Sequence, residues 1–110
     1  MKWNVQYSAK AMEDLKNTYE YIAGELFAPD AAAELVRAIM DAVRSLDEMP
    51  MRCRLYDDEP WRSRGLRSML VRKYAVLYLP DETADTMSIV RILYSGMDIA
   101  KLLSESLDAD

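Results

Sequence analysis

Histidine is absent from this chain of 110 residues. That absence removes the Ser-His-Asp triad, the Cys-His pair and the usual zinc sites. It also removes the side chain most used for proton transfer near neutral pH. Any catalysis would fall to Tyr, Lys, Arg, Asp or Glu. Cys53 is the single cysteine. No internal disulfide and no thiolate metal cluster can form around it, and no cofactor or metal is expected. No apolar run reaches the roughly 18 residues that a membrane-spanning helix needs. The opening stretch, MKWNVQYSAK, lacks the apolar core of a secretory signal. The expected location is the cytoplasm.

What is present is ordinary for a globular domain: 51% apolar residues and 30% charged. No composition shift, repeat or low-complexity tract divides the chain, so residues 1–110 are expected to form one domain. The net charge is −5, unevenly spread. Residues 1–51 carry five basic and nine acidic side chains, and residues 75–110 carry two and seven. Between them, residues 52–74 hold seven basic and three acidic side chains, a local charge of +4. An acidic protein with one basic segment is a poor general binder of phosphate backbones. It suits local contact with one acidic protein segment.

Residues 2–7 alternate, with Trp3, Val5 and Tyr7 on one face, which is the period of a half-buried strand. Ser8 is placed to cap a helix. Met12, Leu15, Tyr19, Ile22 and Leu26 then predict an apolar stripe, with Glu13, Asp14, Lys16, Asn17 and Glu20 on the polar side. Phe27-Ala28-Pro29-Asp30 breaks the pattern, with Pro29 suited to a first helical turn. A second stripe runs through Ala32, Leu35, Val36, Ile39, Val43 and Leu46 and closes at Met49-Pro50. So short a link predicts an antiparallel helical hairpin.

Residues 51–64 have no clean period beyond a short strand near Arg54-Leu55-Tyr56. Strands are predicted at Leu66–Val71, Tyr74–Leu79 and Thr86–Tyr94, with turns at Arg72-Lys73 and Pro80–Asp85. Asp98 can cap a short last helix burying Ile99, Leu102 and Leu103, with residues 104–110 expected to fray. The predicted fold is α+β, in the order β-α-α-β-β-β-α. An antiparallel sheet is covered by the N-terminal helical hairpin and followed by a short C-terminal helix.

The details of this order resemble the RelE/ParE superfamily, the small toxins of bacterial type II toxin–antitoxin modules. The first helix carries Ala11-Met12-Glu13-Asp14-Leu15 and Tyr21-Ile22, and the second ends in Leu46-Asp47-Glu48-Met49-Pro50. Gly65-Leu66-Arg67, Tyr74-Ala75-Val76-Leu77-Tyr78, Arg91-Ile92-Leu93-Tyr94 and Asp98-Ile99 follow in family order. The similarity covers residues 2–103, and the long hairpin looks more like the ParE branch. The resemblance implies a growth-inhibiting toxin, of the kind linked to plasmid stabilization, neutralised by a cognate antitoxin. The implied target is DNA gyrase for a ParE-like chain; a RelE-like chain would instead cleave mRNA on the ribosome. A third alternative is an attenuated toxin that only binds its antitoxin. A homodimer or a toxin–antitoxin hetero-oligomer is compatible with each.

The departures from the family fall where the nuclease branch carries arginine. Ala75 follows the central-strand tyrosine, and Met97 occupies the turn before the last helix. The weak catalytic candidates are Arg67, Arg91 and Tyr94. Arg91, inside an apolar run, is expected more as the partner of a buried carboxylate than as a catalyst. Tyr94 could donate a proton or simply pack at the edge of the core. Partner contact is expected from Arg62, Arg64, Arg67 and Trp61, with core packing as the alternative for Trp61 and solvation for the arginines.

Overall fold

The computed structural model describes residues 3–108, with side chains as far as residue 105. Ten elements follow in chain order. They are β1 (Asn4–Tyr7), α1 (Ala9–Glu20), a π-helical turn (Tyr21–Glu25), α2 (Pro29–Ser45), a 3₁₀ turn (Pro50–Arg52), α3 (Trp61–Arg64), β2 (Arg67–Val71), β3 (Tyr74–Asp81), β4 (Thr86–Tyr94) and α4 (Ile99–Asp108). The α+β architecture and the hairpin over the sheet are as predicted. Lys2, at the start of the predicted first strand, and residues 109–110 lie outside the described residues.

The strands form one sheet in the order β1-β4-β3-β2. β2, β3 and β4 are an antiparallel meander, but β1 lies parallel to β4 at its edge. The hairpin carries the chain from β1 across one face of the sheet before β2 begins, so β1 and β4 can run the same way. Pro80-Asp81, expected in a loop, extend β3. Pro80 stands opposite Met87 in β4. Residues 104–108, expected to fray, continue α4. Between Arg54 and Tyr56 the chain runs beside β2, where Leu55 bridges Arg67.

Local chemistry explains the punctuation. The Ser8 hydroxyl accepts the Ala11 N–H at 2.9 Å and starts α1. Pro29 opens α2, and Arg72, at φ 55°, makes the two-residue turn between β2 and β3. Gly65 ends α3 at φ 89°, a left-handed conformation that a side chain disfavours.

Two cores lie on opposite faces of the sheet. The larger joins Leu15, Leu35, Ile39, Val43 and Leu46 of the hairpin segment to Val76, Tyr78, Ile89 and Ile92. The smaller joins Trp61, Leu66, Leu77, Leu93 and Leu103. Side chains of a regular strand alternate faces, so Ile89 and Ile92 should diverge. They share a face because the register slips: Leu77 pairs with Arg91 but Tyr78 with Ile89, leaving Val90 as a bulge.

The predicted stripe of α1 is rotated. Ala11, Asp14 and Leu15 are buried, whereas Met12, Tyr19 and Leu26 are exposed. Asp14, expected on the polar side, faces inward. The last helical turn also departs from the α form over Tyr21–Glu25, which ends the 3.6-residue repeat before Leu26.

Candidate functional site

β1 flanks β4 only as far as Ile89. Beyond it, the edge of β4 would expose backbone groups that need partners. The start of α1 supplies them. The Ser8 hydroxyl donates to the Val90 carbonyl at 2.8 Å. The Asp14 carboxylate accepts the Ile92 N–H at 3.0 Å.

The same carboxylate binds Arg91 with both oxygens, Nε to Oδ2 and Nη2 to Oδ1, each at 2.8 Å. Both side chains are 9% exposed. Arg91 Nη1 also donates to the Leu102 carbonyl at 3.2 Å. One guanidinium thus ties α1, β4 and α4 together. Its proton is held more tightly than usual, first by the Asp14 hydrogen bond, then by the charges of Asp14, Glu105 and Glu13.

Next to this pair the floor rises into an aromatic cluster. Tyr74 and Tyr94 meet edge to face with ring centroids 5.6 Å apart. Gly96 lies so close to Tyr94 that an added Cβ would come within 2.6 Å of the ring. Burial pushes the Tyr74 hydroxyl up in pKa, partly offset by a hydrogen bond with Thr18. Tyr21, Ile22, Leu26 and Met97 complete an open groove of about 740 Å³ between α1 and the end of β4.

The other candidates lie apart. Arg67 is half-buried in β2. Its Nη1 donates to the carbonyls of Met51 and Cys53, at 3.2 and 2.6 Å, and so pins the 3₁₀ turn to the sheet. Below it the buried Tyr78 hydroxyl donates to the Pro50 carbonyl at 2.8 Å. Trp61 is buried in the smaller core, its packing alternative. Arg62 and Arg64 are exposed on α3, with the Arg64 guanidinium 5.4 Å from the centre of the Trp61 ring. Arg52 and Arg54 are engaged locally, with Ser45 and Asp57.

The structure does not bring Arg67, Arg91 and Tyr94 together. Arg67 pairs with Tyr78, and Tyr94 pairs with Tyr74 at the other end of β3. Those positions on β3 are four steps apart, roughly 13 Å. Cleavage by a ribose hydroxyl needs charge on the phosphate and proton transfer at both oxygens within one site. Here one arginine braces backbone, one is clamped by a carboxylate, and the tyrosine sits among aromatic and apolar side chains. Ala75 is buried and Met97 is exposed at the groove. Among the described residues no group of His, Cys, Asp and Glu is arranged to hold a metal. No helix of the described residues is long and apolar enough to cross a membrane.

Asp14 and the groove were not singled out from sequence. The signal for Asp14 was an arginine placed inside an apolar strand, which needs a buried carboxylate, together with an acid one position before Leu15 on the buried stripe. The groove depends on the bulge and on where β1 stops, which no local pattern announces.

Comparison with known proteins agrees with this geometry. Residues 5–99 match the model of the ParE toxin of the type II toxin–antitoxin system parDE. The fold is shared with a chain of the chromosomal ParDE system of P. aeruginosa, at a TM-score of 0.68 and 20% identity, covering 84% of this chain and 96% of that one. A chain of the toxin–antitoxin complex RelBE2 of Mycobacterium tuberculosis aligns at 0.62 and 21% identity, over 86% and 99%. A mutant of the E. coli toxin RelE in the free state aligns at 0.68 with 9% identity, over 99% and 98%. No curated protein matches the sequence. With the family model spanning most of its length, the chain belongs to the ParE toxin family of type II toxin–antitoxin systems.

Proposed function

We propose that this toxin inhibits growth by binding a protein target, with DNA gyrase favoured, and not by cleaving RNA, and that a cognate antitoxin neutralises it. The observation that carries the reading is the clamped guanidinium of Arg91. It lies closest in sequence to Tyr94, yet the Asp14 carboxylate and the Leu102 carbonyl occupy its donors. Releasing it to hold a phosphate would strand a buried carboxylate, at a cost of several kcal/mol. The absence of histidine and the acidic net charge weigh the same way.

The basic segment supports the antitoxin half of the reading. Of its arginines, Arg62 and Arg64 stand exposed on α3 and can meet an acidic antitoxin stretch. Arg67 holds them in place indirectly, by fixing the connection that precedes α3. Induction of the gene in cells tests the target. DNA-damage signalling and filamentation are expected, and both should vanish when the neighbouring antitoxin is co-expressed. Rapid arrest of translation with messages cut at ribosomes would reverse the reading in favour of the RelE-type nuclease. Harmless induction would favour an attenuated, antitoxin-binding chain.

A further inference from the structure

Phe27 is the chain's single phenylalanine, and it stands in solvent. It is 88% exposed, at the tip of the helical hairpin. Its backbone is unfavourable as well, held at φ 53°. On one side the Leu26 N–H donates to the Tyr21 carbonyl at 3.2 Å, and on the other the Ala28 N–H donates to the Ile22 carbonyl at 3.0 Å. Helices commonly stop on one left-handed residue enclosed by such bonds, and that residue is usually glycine. A bulky residue there crowds its own backbone. Folding thus gains neither burial nor an easier turn from this ring, which directs its use outside the fold.

Tyr21 and Leu26 extend the patch at the same tip, 56% and 54% exposed. Single exposed apolar side chains are ordinary. Three at one protruding turn, one of them held against its own conformational preference, mark a contact surface.

The charge around the tip is of one sign. From Asn17 to Val36 the chain holds Glu20, Glu25, Asp30 and Glu34, all exposed, and no lysine or arginine. Acids therefore flank an aromatic knob. Such a surface repels phosphate backbones and anionic membrane headgroups. It complements an apolar pocket rimmed by lysine or arginine on another protein. Two copies meeting tip to tip would bring like charges together. The antitoxin surface lies elsewhere: α3 packs through Trp61 on the face of the sheet opposite the hairpin.

We propose that the hairpin tip is the surface by which the toxin engages its protein target. Phe27 enters an apolar pocket as the anchor, and Glu20 and Glu25 meet basic side chains at the pocket rim. This rests on the reading that growth is inhibited by binding a protein, and it places target and antitoxin on opposite faces of the sheet.

The test follows supercoiling of relaxed plasmid by purified DNA gyrase with increasing amounts of the full toxin or its variants. Phe27→Gly removes the ring and relieves the left-handed backbone, so its melting temperature should not fall below that of the wild type. The toxin needed for half inhibition should nevertheless rise at least about tenfold, as for loss of an anchor residue. Phe27→Tyr keeps the ring and should lose little. Glu20→Lys with Glu25→Lys should raise the amount needed several-fold at low salt and less at high salt. Met49→Glu changes another exposed apolar residue, beyond the far end of α2 and roughly 25 Å away at 1.5 Å per helical residue, and should alter nothing. Phe27→Gly should bind the product of the adjoining reading frame as the wild type does in calorimetry.

Wild-type inhibition by Phe27→Gly overturns the proposal and leaves the gyrase reading intact. Inhibition that the two charge reversals leave unchanged overturns the basic-rimmed pocket as the partner. A wild-type chain that leaves gyrase fully active overturns that reading, and the proposal with it. A lower melting temperature of Phe27→Gly assigns the ring to the fold, and lost affinity for the antitoxin assigns it to that partner. A dimer of the free chain that Phe27→Gly dissolves assigns it to a second copy. Each of these three results also overturns the proposal.

Discussion

Removing the Asp14 side chain should be among the most damaging single changes in this protein. Asp14→Ala leaves two buried groups without their acceptor: the Arg91 guanidinium and the Ile92 N–H. Breaking a buried pair by deleting one partner costs about 3–5 kcal/mol, because the surviving charge stays desolvated. Total stability for such a domain is about 5–15 kcal/mol. At about 4 °C per kcal/mol, the melting temperature should fall by roughly 12–20 °C. A double-mutant cycle separates the pair from its surroundings. Arg91→Met alone strands the carboxylate, although the Ile92 N–H still donates to it. In Asp14→Ala with Arg91→Met no charge is stranded, and the main remaining penalty is the unsatisfied Ile92 amide, about 1–3 kcal/mol. The double variant should therefore be more stable than Asp14→Ala. Urea unfolding of all four proteins gives the coupling directly. Costs that simply add, to within about 0.5 kcal/mol, would show that the pair is not coupled and refute the reasoning.

Other perturbations follow from the same geometry. Burial is the largest cause raising the Tyr78 pKa above its ordinary value of 10.0. The folded state therefore keeps its proton when the unfolded state has lost it, so this contribution is fully present below pH 10 and declines above it. Tyr78→Phe should flatten that alkaline decline and cost about 1 kcal/mol near neutral pH through loss of the bond to Pro50, both read from denaturant midpoints across pH. Replacing Arg62 and Arg64 together by Ala should weaken antitoxin binding about tenfold, the sum of two exposed charge contacts of up to about 1 kcal/mol each; titration calorimetry at two salt concentrations would show it. Arg67→Ala should do the opposite, lowering the melting temperature through the freed Met51–Cys53 connection while touching affinity less. Gly65→Ala should cost about 1 kcal/mol in thermal unfolding, because its φ of 89° suits no side chain.

Much of the fold was written in local patterns. Ser8, Pro29, Asp98 and the spacing from Ala32 to Leu46 each state their element through capping chemistry or period. The three strands of the meander follow from β-branched runs, and even the Arg72-Lys73 turn fell where the pattern required it. What was not legible depends on partners far apart in sequence. Asp14 reads as a polar-side residue until Arg91, 77 positions away, turns it inward. Met12, Tyr19 and Leu26 read as core until the π turn and the rotated helix leave them outside. The parallel placement of β1 follows from where the hairpin carries the chain, and the shared face of Ile89 and Ile92 follows from a bulge. The site suffers most from this. Arg91 could be assigned to an ion pair from sequence, but the groove beside it is made by an edge strand that stops early.

The proposed reading carries a testable consequence for mechanism: with Arg91 clamped by the Asp14 carboxylate, inhibition should run through a protein target. Supercoiling of relaxed plasmid by purified DNA gyrase, measured with increasing toxin and then with added antitoxin, tests that directly. The account predicts that supercoiling falls as toxin rises and recovers when the antitoxin is added. Full supercoiling at every toxin concentration, with message cleaved by the same preparation on programmed ribosomes, would contradict it.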